Sequence, residues 1–328
     1  MPEPSPTPVR RGRFFRFGAA VVVMLALAGY LAVQYLTGGT GAPRCRVVSG
    51  KSDGASYEFT PEQAVNAATI SAVGTTRGLP ERAVAIALAT ALQESGLRNI
   101  QHGDRDSLGL FQQRPSQGWG TTKQIMDPTY AAGMFYEHLA KVPGYTRLPL
   151  TVAAQRVQRS GYPQAYAKHE PDATLLAAAL TGRAAATLTC EGRPGATPVG
   201  GPDSVRAALV RDFGREVLQE AGADVSTAGS PASATASPTL APSPSVSGRT
   251  VTVPVRKDPT GDSTVRQRGW ELAHWAVANS SALHIRRVSY AGREWTAGER
   301  NGEWRAAVTT GGSTRTPSPG EVRIVTAQ

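Results

Sequence analysis

"ALQESGLRNIQHGDRDSLGLFQQRP", residues 91–115, decides how this chain is read. Its opening residues close a longer stretch, "PERAVAIALATALQES" (80–95), whose apolar side chains run all round the helical cylinder. Such a helix is buried on every side. It drops a carboxylate, Glu94, into its last turn, and Gly96 stops it. Two effects raise the pKa of a carboxyl group placed there. Burial disfavours the charged form, and the negative end of the helix dipole repels an anion. A carboxylic acid kept protonated near neutrality is what a general acid requires. The plain alternative is an exposed glutamate that ends a helix. Residues 97–120 then lose all periodicity and are rich in glycine, polar residues and turn signals, so they read as hairpin or loop.

Around this stretch the helix signals come in order. Thr60-Pro61-Glu62-Gln63 combines an N-cap, a proline at the first helical position and a capping-box glutamine. Thr121-Thr122-Lys123-Gln124 is a second capping box, opening a short helix. Asp127-Pro128 opens a longer one, "PTYAAGMFYEHLAKV", and "TVAAQRVQRS", "PQAYAKHE" and "ATLLAAAL" continue the helical reading to Cys190. Residues 45–190 are thus expected to form a compact, mainly α domain with one irregular insertion after its buried helix.

The ends of the chain are different in kind. Residues 1–16 are Pro-rich and then basic, with Arg10, Arg11, Arg13 and Arg16. Residues 17–36, "FGAAVVVMLALAGYLAVQYL", carry no charge and are long enough to span a bilayer as a helix. The preceding arginines orient such an anchor with a cytoplasmic tail and everything after it outside. A cleaved signal peptide ending at Ala26-Leu27-Ala28 is the competing reading. Beyond this segment lie the two cysteines, Cys45 and Cys190. In an oxidising compartment they read as one disulfide clasping the two ends of the helical domain. Closing a loop that long is worth about 5 kcal/mol by the chain-entropy argument.

After Cys190 come a linker over 191–248, with one amphipathic helix at 203–222, and an Ala/Ser/Pro/Thr spacer at 223–248 that has nothing to build a core from. Residues 249–328 read as a separate small α+β module. "TVTVPV", "HIRRVSYAG", "REWTAG", "EWRAAV" and "EVRIVTA" are its strands, and "VRQRGWELAHWAVANSSAL" is its helix, with Trp270, Leu272, Trp275 and Leu283 among the apolar positions.

"ESGL" at 94–97 followed by "SLGLFQQ" at 107–113 resembles the lysozyme-like superfamily, most of all the lytic transglycosylases and goose-type lysozymes. The fuller string "GDRDSLGLFQQRPSQGWG" is similar to a set of actinobacterial exported lysozyme-like proteins. The resemblance covers residues 58–180. It implies Glu94 as catalytic acid/base, Ser95 as a polar support beside it, and Gly109 and Gln112 as walls of a sugar cleft. The implied reaction is cleavage of the MurNAc–GlcNAc β-1,4 bond of peptidoglycan. Such enzymes manage with one carboxyl group, whereas most glycosidases pair two. Asp104 and Asp106 are the candidates for a second.

The family's third motif, usually Ala-Tyr-Asn, is altered here to "VAAQRVQRSGYPQAYA". The tyrosine that touches the catalytic glutamate is either replaced by Gln155 or Gln158, or supplied by Tyr162 or Tyr166. Phe111 stands where Met is common. Trp119 suits stacking on a sugar face and equally suits anchoring its loop. The alternative function is a wall-binding or scaffolding protein that keeps the fold without turnover.

A net charge of +10 and a pI near 10.0 favour anionic partners. Outside a membrane these are anionic wall polymers or lipid rather than nucleic acid, which is not expected. His102, His138, His169, His274 and His284 show no metal-ligand spacing, and no cofactor motif is present. The expected whole is a single-pass cell-membrane protein acting on peptidoglycan glycan strands.

Overall fold

Capping chemistry sets the helix starts. In the computed structural model, residues 24–25, 28–29, 43–162, 164–191, 201–219, 249–256, 264–299, 302–307 and 320–327 are described. The Thr60 hydroxyl accepts from the Gln63 amide while the Gln63 side chain accepts from the Thr60 amide, so both halves of the capping box close at the start of α1 (Pro61–Thr76). The buried helix is α2 (Glu81–Ser95), in which every residue from Ala83 to Leu92 is buried. The second capping box opens the short α3 (Thr122–Ile125), and the Asp127 carboxylate caps α4 (Pro128–Ala140). Helices α5 (Leu150–Gln158) and α6 (Glu170–Leu180) complete the set around α2.

Strands β1 (Cys45–Val48), β2 (Ser56–Phe59) and β3 (Leu188–Cys190) make a small antiparallel sheet in the order β2-β1-β3. Cys45 lies directly opposite Cys190, and the two form a disulfide across 145 residues of chain. The clasp expected from cysteine placement is present.

Beyond it the sequence-based picture needs correction. The amphipathic helix expected at 203–222 is α7 (Pro202–Phe213). It ends where Gly214 turns to φ 83°, ψ 168°, and a 3-10 turn follows at Arg215–Leu218. The stretches read as strands are β4 (Thr250–Pro254), β5 (Ile285–Tyr290), β6 (Arg293–Thr296), β7 (Arg305–Ala306) and β8 (Glu321–Thr326). They pair antiparallel in the order β4-β8-β5-β6-β7. The helix α8 (Val265–Ala278) packs on β5 and β8 on one side, and on α1, α6 and β3 on the other.

The expected fold class, a mainly α domain with a membrane helix and a separate module after a linker, is therefore overturned. The described residues from 43 onward form one compact unit of eight α-helices and two antiparallel sheets. The physical reason is α8, whose residues Gly269 to Ala278 are all buried, too many for one sheet to cover. No helix of the described residues is long and apolar enough to cross a membrane. Most of 17–36, and all of the spacer at 223–248, lie outside the described residues.

Polar contacts stitch the two sheets' helices together. Asp212 of α7, only 3% exposed, accepts from the indole of Trp275 (2.8 Å) and the hydroxyl of Thr69 (3.3 Å) and pairs with Arg211 (2.7 Å). The Trp304 indole donates to the Leu188 carbonyl at 2.9 Å, two residue pairs along β3 from the disulfide. Gly182 permits a close approach of backbones: a side chain there would run into the Gln267 carbonyl of α8.

Candidate active site

The last turn of α2 is held from outside the helix. Gly96 and Leu97 both adopt left-handed backbone and turn the chain sharply after Glu94. Side chains of α1 then take the freed carbonyls, Gln63 on Gly96 and Asn66 on Leu97, each at 2.8 Å. The Ser95 hydroxyl is buried and donates to Leu110 at 2.8 Å and Ala91 at 3.1 Å. Ser95 thus pins the hairpin to the helix rather than facing open space. Leu108 and Gln113 close that hairpin with reciprocal backbone bonds of 2.9 and 3.0 Å.

Glu94 is half-buried and lines an open cleft of about 870 Å³. The hydroxyl of Tyr166, itself fully buried, donates to its Oε1 at 2.7 Å. Tyr166 therefore fills the place left open among four residues. Burial raises the Glu94 carboxyl above the ordinary glutamate value, against the opposing hydrogen bonds from Tyr166 and Gln158. The Gln158 amide also donates to the Phe111 carbonyl at 2.8 Å, joining the end of α5 to the hairpin across the cleft floor. Gln155 is turned away onto Ser160. Tyr162 lines the cleft with its ring 79% exposed.

The other expected site residues divide. Gln112 and Trp119 line the cleft. Trp119 is half-buried with its ring 4.1 Å from that of His138, so it anchors the loop and presents one face at the same time. Gly109 is buried and absent from the cleft wall; at φ +74°, a side chain there would meet the Ile125 carbonyl at 2.8 Å. Its backbone approaches protein, not saccharide. Phe111 is fully buried and stacks on Phe135 at 4.7 Å.

Of the two aspartates, Asp106 is tied to the Arg114 guanidinium (2.7 Å) and the Ser116 amide (2.9 Å). The Ser116 amide and then Arg114 hold its carboxyl well below the usual carboxylate range, which suits a loop brace and not a proton donor. Asp104 lines the cleft with its side chain 94% exposed. Glu94 and Asp104 are the carboxyl groups of the cleft wall, and only Glu94 is sheltered from water. The wall also carries five cations: Arg105, Arg114, Lys141, Arg156 and Arg159. Reading the sequence missed Arg105, Lys141, Arg156 and Arg159 as lining residues. Arg156 and Arg159 sit at the end of a helix whose spacing says nothing about which wall they join. Among the described residues no group of three or more His, Cys, Asp or Glu side chains is placed to hold a metal ion.

Comparison with known proteins reaches a different part of the chain. The family described as "VldE, C-terminal domain" matches residues 209–317. That span runs from the end of α7 through α8 and β4 to β7, and contains none of the residues lining the cleft. It is what the C-terminal third is similar to. No curated protein matches the chain.

Proposed function

We propose that this protein cleaves the glycan strands of peptidoglycan at the MurNAc–GlcNAc β-1,4 bond, with Glu94 as the acid/base. The observation that carries the reading is the Glu94 carboxyl itself: sheltered, raised in pKa, steadied by Tyr166 and open to a cleft of ligand size. The "ESGL" and "SLGLFQQ" stretches, with their likeness to lytic transglycosylases, supply the substrate class.

Chemically, the protonated Glu94 gives its proton to the glycosidic oxygen as the C1–O bond breaks. The resulting carboxylate takes a proton either from water, which adds at C1, or from the sugar's own 6-hydroxyl, which closes an anhydro ring. Tyr166 stabilises that carboxylate through the same hydrogen bond. The exposed Asp104 favours the single-carboxylate course, because a solvated acid gains little as a base or nucleophile from its surroundings.

Glu94→Gln preserves size and can still accept from Tyr166, but has no proton to give. Turnover on purified peptidoglycan, measured by released soluble muropeptides, should fall by about 10²–10⁴-fold, while Asp104→Asn should cost far less. Undiminished digestion by Glu94→Gln would falsify the assignment. A parental protein that binds sacculi and releases nothing would instead establish the non-catalytic wall-binding reading.

A further inference from the structure

The cleft is lined by five cations against two carboxyl groups, and the cations are not equivalent. Arg114 is spent on Asp106 at 2.7 Å and Lys141 on Glu137 at 2.8 Å. Arg105 lies 4.0 Å from Asp104. Arg156 and Arg159 are exposed and have no ion-pair partner among the described residues. Both stand at the C-terminal end of α5, on either side of Gln158, whose amide reaches the Phe111 carbonyl and steadies Glu94.

Helix physics explains one cation here and not the other. Arg156 in the last turn complements the negative end of the helix dipole. Arg159 is the C-cap and adopts φ 50°, ψ 38°, the left-handed region where helices normally place glycine or asparagine. A long branched-head side chain on that backbone is a cost to the fold. What it achieves is a guanidinium at the cleft wall; the proton affinity of His138 is depressed by burial first and then by Lys141, against Glu137, and Arg159 adds a smaller push in the same direction.

We infer that Arg156 and Arg159 form an anion subsite beside Glu94 that binds carboxylates carried by the glycan, those of its attached peptides or of lactyl ethers that bear no peptide, so that the substrate is carboxylate-bearing glycan and not neutral chitin-like chain. This rests on the proposed glycan-cleaving role of the cleft. Planar guanidinium groups match carboxylates in paired hydrogen bonds. Three residues apart at the end of one helix, they place two positive charges on the same stretch of cleft wall. Phosphate of wall polymers shares the anionic chemistry, and the test separates the two.

Binding is measured with the Glu94→Gln protein, which retains substrate without consuming it. The probes are three preparations of purified sacculi: untreated, stripped of phosphate polymers with acid, and carboxyl-amidated with carbodiimide and ammonia. Stripping should leave affinity unchanged, while amidation should weaken it at least ten-fold. Adding Arg156→Gln and Arg159→Gln together should weaken binding to untreated sacculi by a similar factor and abolish the response to amidation. Arg159→Gly, which suits the left-handed cap, should keep or raise the melting temperature while still losing affinity, so that unfolding does not explain the loss. Equal affinity for amidated and untreated sacculi overturns the inference, as does a response to amidation that survives in the double variant. Loss of affinity on stripping alone assigns the cations to phosphate and also overturns it. Failure of the proposed function is read elsewhere, in muropeptide release by the parental chain.

Discussion

Glu94 shows how opposed effects at one residue set a proton donor. Burial lifts its pKa, and the hydrogen bonds from Tyr166 and Gln158 pull it back. Tyr166→Phe removes one of the lowering contacts. The carboxyl should then hold its proton to higher pH, and the alkaline limb of the kcat/KM profile should move up. Turnover should fall roughly 10-fold, the scale of one positioning hydrogen bond; an unmoved limb would show that the phenol does not address Glu94 in solution. The same balance affects stability. Above its raised pKa the sheltered carboxylate costs the folded state, whereas below about pH 4 it is protonated in folded and unfolded chains alike and the cost vanishes. Glu94→Gln should therefore stabilise the protein at pH 7, with the gain shrinking toward zero in acid, as followed by urea midpoints. The acid itself was legible in the sequence because burial and helix position are both local signals. Its partner was not. Tyr166 arrives after a left-handed break at Arg159 and immediately before the short 3-10 turn at Ala167–His169, where no periodicity survives to say which way a ring points.

At the scale of elements, the hairpin after α2 is held by its interior rather than by strand pairing. Ser95 reaches into it from α2 to the Leu110 carbonyl, and Asn99 and Gln113 reach out of it to the carbonyls of Met126 and Ala131. Gly109 sits where the hairpin meets the end of α3. Gly109→Ala would force a Cβ to 2.8 Å from the Ile125 carbonyl on a backbone at φ +74°. The expected cost is about 1–3 kcal/mol, from overpacking together with the left-handed strain. It should appear as a lower urea midpoint at unchanged m-value; a neutral result would mean that α3 can yield at Ile125. The two capping boxes and the glycine stops were readable, since each is a contact within four residues. The reason for Gly109 was not, because Ile125 lies in a different element and sequence spacing does not report which backbone it will touch.

At the scale of the whole molecule, α8 makes a separate C-terminal module untenable. Its apolar residues were evident in the sequence, but periodicity states how much of a helix is buried and not by whom. His274 lies at the point where α8 meets α6 and the first sheet, fully buried. Its geometry fits the neutral ring: Nδ1–H donates to the Ala179 carbonyl at 2.7 Å, and Nε2 accepts from the Thr187 amide at 3.3 Å. The rings of Trp270 and Trp304 lie 5.4 and 5.9 Å away. Burial pushes the imidazole down from 6.5 to about 4, with the Ala179 bond only partly opposing it. A second proton, on Nε2, would point at the Thr187 N–H and leave two donors facing each other. The sign follows from linkage. Above pH 6.5 the ring is neutral in both states and its full contribution is present; as pH falls toward 4 the unfolded chain takes up a proton that the folded chain refuses. Stability should fall by roughly 3 kcal/mol across that window from this group alone. Chains nicked by protease between 220 and 248 should hence keep their two fragments together on gel filtration at pH 7 and release them more readily near pH 4. His274→Gln, with no proton to gain, should be less stable at pH 7 but show a flatter slope between pH 6.5 and 4. If parent and variant lose stability in parallel through that window, His274 is not the group that senses acid at this junction.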